Sequence, residues 1–164
     1  MAPTVLMVAE KPSLAQSISQ ILSNQKCSTR KGFNGACSIN EWNGQFLGQN
    51  AKFKMTSVCG HVMSLDFLSK FNNWDRVDPV ELFVCGTEKK EATPKLKMPA
   101  FLSSEAKNVD YLVLWLDCDK EGENICFEVM NCVLHVMKPR RNEQTVFRAK
   151  FCKSEQTYKP ISEI

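Results

Sequence analysis

YLVLWLDCDKEGENI, residues 111–125, runs from six large apolar residues directly into an acidic loop. So short and continuous an apolar run predicts a β-strand that is buried on both faces. Four acidic residues follow within seven positions, and an apolar stripe at helical spacing then extends to Met137. The pattern predicts a strand, a charged loop and a helix, with the charge at the carboxyl end of the strand.

A second unit of the same kind opens the chain. Residues 4–9, TVLMVA, form another continuous apolar run, which ends at Glu10-Lys11-Pro12-Ser13. Apolar residues then recur at helical spacing, so a helix is expected to begin near Pro12 or Ser13. Strands that alternate with helices predict an α/β fold with a mainly parallel sheet flanked by helices. Because ligands bind at the carboxyl edge of such sheets, Glu10 and Asp117 are expected to lie close together there.

The remaining segments predict smaller elements. Asn43-Gly44 predicts a hairpin turn, because both residues tolerate positive φ. Residues 72–97 are polar and predict an irregular connection with short helical turns, and the short helix after them is expected to be interrupted at Pro99. The other expected strands are 36–42, 45–53, 54–58 and 145–151.

Composition narrows the class of protein. The chain has 164 residues, 43% hydrophobic and 24% charged, which is typical of one globular domain. It has no apolar run of about 18 residues and no secretory signal pattern, so neither a membrane span nor secretion is expected. The eight cysteines include no C-x-x-C pair, which argues against structural zinc and favours reduced thiols in an intracellular protein.

The acidic loop is a candidate metal site. Asp117 and Asp119 point the same way if the chain is extended, and Glu121 falls at the start of the following helix. Carboxylates so close together repel unless a cation neutralises them, and oxygen ligands favour Mg²⁺, with Mn²⁺ as the alternative. Two other interpretations stay open. The acids could cap an exposed helix, and a D-x-D after a strand also occurs in haloacid-dehalogenase-type phosphatases.

Charge is unevenly distributed along the chain. Seven acidic residues lie between positions 105 and 128, and seven basic residues lie between 138 and 159. An acidic cluster flanked by basic stretches fits a metal-dependent site that acts on a polyanion. A solvated surface with uneven charge explains the same pattern without a function.

Three motifs together resemble the Toprim domain of type IA DNA topoisomerases. They are AEKPSLA at 9–15, TSVCGH at 56–61 and LDCDKEGENI at 116–125, and Lys120 with VFRA at 146–149 resembles the beta form of topoisomerase III. The resemblance implies a Toprim, Rossmann-like α/β fold with a small β-hairpin excursion. It covers residues 4–151, so we expect a Toprim domain over 1–151 and a divergent tail over 152–164.

The resemblance also implies residue roles. Glu10 would protonate the leaving 3′ oxygen or help to hold metal, and Lys11 would stabilise the transition-state phosphate. Asp117 and Asp119 would hold Mg²⁺, with Glu121 as a third or water-mediated ligand. The implied contacts to nucleic acid are Lys120, Arg148, His61 and Ser13. For His61 a role in orienting a loop is an equal alternative, and for Arg148 the rival is an ion pair to the acidic cluster.

The resemblance finally implies partners and a reaction. The substrate would be single-stranded DNA, with RNA as an alternative, a partner would carry an OB-fold or Tudor-type domain, and the location would be the nucleus or also the cytoplasm. Type IA topoisomerases cut with a tyrosine, whereas the two tyrosines here, Tyr111 and Tyr158, lie outside any segment resembling the family's catalytic region. A regulatory nucleic-acid-binding fragment and a stand-alone Toprim nuclease therefore remain alternatives.

Overall fold

The computed structural model describes residues 2–138 and 143–150, which form a sheet with helices on both faces. Three α-helices and eight strands are present in this part of the chain. The helices are α1 (Pro12–Leu22), α2 (Met98–Glu105) and α3 (Lys120–Val133). The strands are β1 (Thr4–Ala9), β2 (Ser28–Lys31), β3 (Ser38–Phe46), β4 (Gln49–Ser57), β5 (Met63–Phe67), β6 (Thr87–Glu91), β7 (Tyr111–Trp115) and β8 (Val146–Arg148).

Six of the strands form the central sheet, in the order β2-β3-β4-β1-β7-β8. The pairs β4–β1, β1–β7 and β7–β8 are parallel, and β2 and β3 extend the sheet with antiparallel pairs. The predicted α/β architecture with a mainly parallel sheet is therefore confirmed. Because four neighbouring strands run the same way, their carboxyl ends meet at one edge.

Two apolar layers enclose the sheet. In β1, Leu6 and Val8 pack with α2 and α3 on one face, whereas Met7 and Ala9 pack with α1 on the other. Residues 5–9 are fully buried, as expected for a continuous apolar strand covered on both sides. The helices therefore hold β1 and β7 at the centre of the sheet, and their carboxyl ends are fixed by the core.

The predicted hairpin turn at Asn43-Gly44 is wrong. Both residues lie inside β3, where they pair with Lys52 and Ala51, and the turn falls at Leu47-Gly48. Leu47 and Gly48 have φ values of 49° and 75°, the left-handed conformation that a two-residue hairpin turn requires. A leucine rarely adopts it, so the composition of the turn did not indicate its position. The strand expected separately at 54–58 is the end of β4.

The segment between β4 and α2 is more regular than its polar sequence suggests. Strands β5 and β6 form a separate two-stranded antiparallel sheet, and short 3₁₀ turns lie at Ser69–Phe71, Pro79–Phe83 and Pro94–Leu96. Trp74 and Phe83 are 83% and 88% exposed, which is unusual for such large apolar side chains. Pro99 lies in the first turn of α2 and starts the helix instead of interrupting it.

Two predicted elements are shorter in the structure. Helix α3 ends at Val133, before the apolar stripe reaches Met137, and β8 covers three of the residues expected at 145–151. Phe151 and the expected tail over 152–164 lie outside the described residues. Among the described helices, none combines the length and the apolar character needed to span a lipid bilayer.

Candidate metal centre at the carboxyl edge

Glu10 and Asp117 lie next to each other at the carboxyl edge of the sheet. Ala9 at the end of β1 pairs with Trp115 at the end of β7, and each strand is followed within two residues by its acid. The backbone N–H of Asp117 donates to Oε2 of Glu10 at 3.4 Å. The expectation that the two acids meet at one edge is therefore confirmed, although they are 107 positions apart in the chain.

Asp119 begins helix α3. Its backbone is extended, with φ −133°, and its Oδ1 accepts the N–H of Gly122 at 2.8 Å. This is the standard geometry of an N-cap, in which an acid satisfies one of the free amides of the first turn. The helix-capping interpretation is thus correct for one oxygen of Asp119. Glu121 and Glu123 follow in the first turn, where the helix dipole also favours negative charge.

Arg148 ties the acidic loop to the end of β8. Its guanidinium donates to the carbonyl oxygens of Asp117 at 2.8 Å and Ala149 at 2.7 Å. It also forms an ion pair with Glu123 at 2.9 Å, and its side chain is only 17% exposed. These contacts match the structural alternative, an ion pair to the acidic cluster. They leave the contact with nucleic acid as a prediction.

His61 reaches the same edge from the loop after β4. Its Nδ1 lies 3.2 Å from the carboxylate of Glu128, and its Nε2 lies 3.7 Å from Glu121. Glu128, which is buried, also accepts the backbone N–H groups of Val62 at 2.8 Å and Met63 at 3.2 Å. Glu128 was not predicted as a site residue. Its position three residues after Ile125, on the apolar stripe of α3, could have indicated a buried acid with a specific partner.

The other candidate residues surround this edge from solvent. Lys11, Ser13, Lys120 and Glu121 are exposed, Lys11 at the N-cap of α1 and Ser13 in its first turn. No side chain caps α1, so the first amides of this helix are not satisfied by its N-cap residue. An open cavity of about 640 Å³ lies beside the acidic loop and is lined by Cys118, Asp119, Lys120, Glu123 and Lys150.

The donor chemistry at this edge fits a hard divalent cation. Glu10, Asp117 and Asp119 supply carboxylate oxygens, the ligand type that Mg²⁺ and Mn²⁺ share. Within residues 2–138 and 143–150, however, no three acidic, histidine or cysteine side chains are already grouped as a ligand set. The ligand type therefore agrees with the predicted metal. The carboxylates would have to move closer together to bind one ion.

The part of the chain that contains the three sequence motifs matches a known domain family. A family model for the Toprim domain matches residues 5–153. The chain belongs to the Toprim family. The family resemblance carried by the three sequence motifs is thereby confirmed. These Toprim motifs lie at the carboxyl ends of β1, β4 and β7, which are neighbours in the sheet.

Individual relatives of this Toprim chain are DNA topoisomerases. It is 67% identical to human DNA topoisomerase 3-beta-1 over 150 residues, which are 90% of this chain and 17% of that protein. It is 59% identical over 149 residues to DNA topoisomerase 3-beta of Drosophila melanogaster, again 90% of this chain and 17% of that protein. With human DNA topoisomerase 3-alpha the identity is 37% over 147 residues, 90% of this chain and 14% of that protein. The chain thus spans 17% of the length of its first curated relatives.

Proposed function

We propose that this Toprim chain is the metal-binding and acid–base part of a type IA DNA topoisomerase, which cleaves, passes and religates single strands of DNA. The observation that carries the proposal is the contact between Glu10 and the Asp117 backbone at the carboxyl edge of β1 and β7. Two acids that follow separate strands, with Asp119 two positions after Asp117, place carboxylates at one edge of the sheet beside the exposed Lys11 and Lys120. The relatives are DNA topoisomerases, which supports DNA as the substrate, and RNA is the second candidate substrate.

The residues at the carboxyl edge have different proposed roles in the reaction. Asp117 and Asp119 would hold Mg²⁺ or Mn²⁺, with Glu121 and Glu10 as the further carboxylates. When bound, the cation supplies positive charge that stabilises phosphate oxygens. Glu10 would deliver a proton to the leaving 3′ oxygen, and the ammonium group of Lys11 would stabilise charge that develops on the phosphate.

Exposed polar residues around the acids would guide the nucleic-acid backbone. Ser13 and Lys120 are exposed at the first turns of α1 and α3, and no side chain caps α1, whose first amides can also attract phosphate. His61 and Arg148 are held by carboxylates and would contact nucleic acid from these fixed positions. The proposal includes a partner protein with an OB-fold or Tudor-type domain. It also places the protein in the nucleus, with the cytoplasm as a second location.

Calorimetric titration with Mg²⁺ and Mn²⁺ tests the metal site. The chain is expected to bind weakly, because a phosphate of the substrate would complete the coordination. Binding should be lost in the double variant Asp117→Asn/Asp119→Asn. A matched control, Asp75→Asn/Glu81→Gln, removes two acidic charges from the 72–97 segment and should bind as the unchanged chain does. Equal binding by the site variant and the control would reject the assignment.

A non-catalytic nucleic-acid-binding fragment is the second candidate function. One observation favours it: Tyr111 is fully buried in β7, and its hydroxyl donates to Glu143. Tyr111 therefore cannot attack a phosphate, and Tyr158 lies outside the described residues. In this alternative the basic residues would bind single strands without cutting them.

A further inference from the structure

Two free thiols meet beside the loop that carries His61. The Sγ atoms of Cys37 and Cys59 are 3.7 Å apart, and both cysteines are unpaired. Cys37 directly precedes β3 and Cys59 follows the end of β4 by two residues. Because β3 and β4 are antiparallel, the start of one lies beside the end of the other, which brings the two thiols together.

The two cysteines differ in exposure and in backbone support. Cys37 is 2% exposed, and its N–H and carbonyl are held by Asn34 Oδ1 and Gly32 N–H at 3.2 and 2.8 Å. Cys59 is exposed and precedes Gly60, which has φ 85°. Cys37 is thus fixed and buried, whereas Cys59 is an exposed residue next to a glycine, with its thiol partly covered where it meets Cys37. A more accessible thiol beside a buried one is an arrangement in which thiol–disulfide exchange can close a disulfide, because the accessible thiol meets the oxidant first.

We propose that Cys37 and Cys59 form a reversible disulfide, a redox modification site at the base of the β4–β5 loop. The oxidant is a small disulfide such as oxidised glutathione. The Cys59 thiolate attacks one sulfur of the oxidant and releases one glutathione thiol. The Cys37 thiolate then attacks the sulfur of Cys59 and releases the second. Two protein thiols lose two electrons and two protons, and glutathione disulfide gains them.

Forming the disulfide requires a small movement of the two cysteines. The two sulfurs must approach from 3.7 Å to about 2.05 Å, the length of a disulfide bond. The cross-link would fix Cys59 two residues before His61, whose ring contacts Glu128 at 3.2 Å. Oxidation therefore acts on the loop that presents His61 at the carboxyl edge. Because neither thiol belongs to the proposed metal site, this inference is independent of whether the chain binds Mg²⁺.

The conditions of the test follow from the acidity of Cys59. Partial burial of the thiol and the neighbouring Cys37 raise the pKa of Cys59 to about 11. Only the thiolate attacks a disulfide, so the exchange is slow at neutral pH and is best followed at about pH 8.5.

The full chain is reduced, incubated with mixtures of reduced and oxidised glutathione, blocked with N-ethylmaleimide and digested with trypsin. Cleavage places Cys37 on peptide 32–52 and Cys59 on peptide 55–70, neither of which has another cysteine. The expected product is these two peptides joined, lighter by two hydrogens than their sum. Dithiothreitol should separate them again.

Three variants test whether Cys59 and Cys37 are the two thiols that react. Cys59→Ser should leave residue 37 reduced, because the attacking thiol is gone, and Cys37→Ser should leave glutathione on Cys59. The matched control Cys85→Ser should cross-link as the unchanged chain does. The proposal is overturned if Cys59 of the unchanged chain retains glutathione, links to another cysteine, or stays reduced while exposed Cys118 is oxidised in the same sample.

Discussion

At the scale of a single residue, Gly122 allows the acidic loop to turn directly into α3. It lies in the first turn of α3, where its N–H donates to Asp119 Oδ1 at 2.8 Å. A Cβ atom at this position would overlap the backbone of Asp117, chiefly its carbonyl oxygen. Backbone cannot move away as a flexible side chain can. Glycine is therefore required for the helix to begin so close to the end of β7.

Gly122→Ala is expected to lower the free energy of unfolding by about 1–3 kcal/mol, the usual cost of overpacking. This loss outweighs the gain in helix propensity, which is at most about 1 kcal/mol. Urea denaturation followed by circular dichroism measures it. The matched control is Gly86→Ala, where the nearest atom to an added Cβ is Leu68 Cδ1 at 3.7 Å. A loss at position 122 no larger than at position 86 would contradict the overlap.

Neighbouring acids along the chain have different tasks. Glu105 forms an ion pair with Arg30 through a side chain that is only 9% exposed, and Glu128 binds the amides of Val62 and Met63. Asp117 and Asp119 instead lie at the carboxyl edge. The acidic cluster that the sequence presents as one group is thus divided into carboxylates that hold the fold and carboxylates that face the candidate site.

At the scale of elements, the β3–β4 hairpin carries a local conflict. Its turn places Leu47 at φ 49°, a conformation that costs an L-residue about 1–2 kcal/mol, and the side chain is 52% exposed. The register is instead held by the strands. Trp42 stacks on Phe53 with ring centroids 5.1 Å apart, and Phe46 packs on Tyr111. Core packing therefore overrides the preference of Asn43-Gly44 for a turn.

Leu47→Asn should raise the free energy of unfolding by about 0.5–1 kcal/mol, because asparagine tolerates the left-handed conformation. Urea denaturation of the folded chain checks the sign. Gln45→Asn serves as the control, since this exposed residue lies within β3, where asparagine is disfavoured and no gain is expected. An equal gain in both variants would show that the turn conformation is not its source.

At the scale of the whole molecule, residues 2–138 and 143–150 bring acids and lysines to the edge of a parallel sheet but present no exposed tyrosine there. Carboxylates and Lys11 can stabilise a phosphate under attack, yet the covalent step of a type IA topoisomerase needs a tyrosine. Tyr111 is buried, and Tyr158 lies outside the described residues. The isolated chain should therefore bind nucleic acid without completing the reaction.

We expect this polypeptide alone neither to relax negatively supercoiled DNA nor to form a covalent adduct with single-stranded DNA. Weak binding should persist and should fall steeply with salt, as phosphate contacts do. Labelled strands are incubated with the chain and Mg²⁺ and separated by denaturing electrophoresis, with a full-length type IA topoisomerase as positive control. An adduct abolished by Tyr158→Phe would contradict the expectation. Metal-dependent cutting without an adduct, lost in Asp119→Asn, would support a nuclease.

The sequence by itself determined the elements whose signals are local. The apolar runs of β1 and β7 and the helical spacing of α1 and α3 depend on neighbours within a few residues. The bounds of β1 and β7 and the start of α1 were therefore predicted almost to the residue, whereas α3 ends at Val133, before its apolar stripe does. Acids at the ends of two such strands also predicted which edge carries the candidate site, because parallel strands end together.

The tertiary structure alone decided what depends on distant residues. The Val62 N–H that donates to Glu128 is 66 positions away, and the Cys59 thiol beside Cys37 is 22 positions away. Strands β5 and β6 consist mostly of polar or partly exposed residues, which stabilise a strand only through the pairing that the fold supplies. The Leu47-Gly48 turn has the same origin, since aromatic packing across β3 and β4 set the register and the turn had to follow.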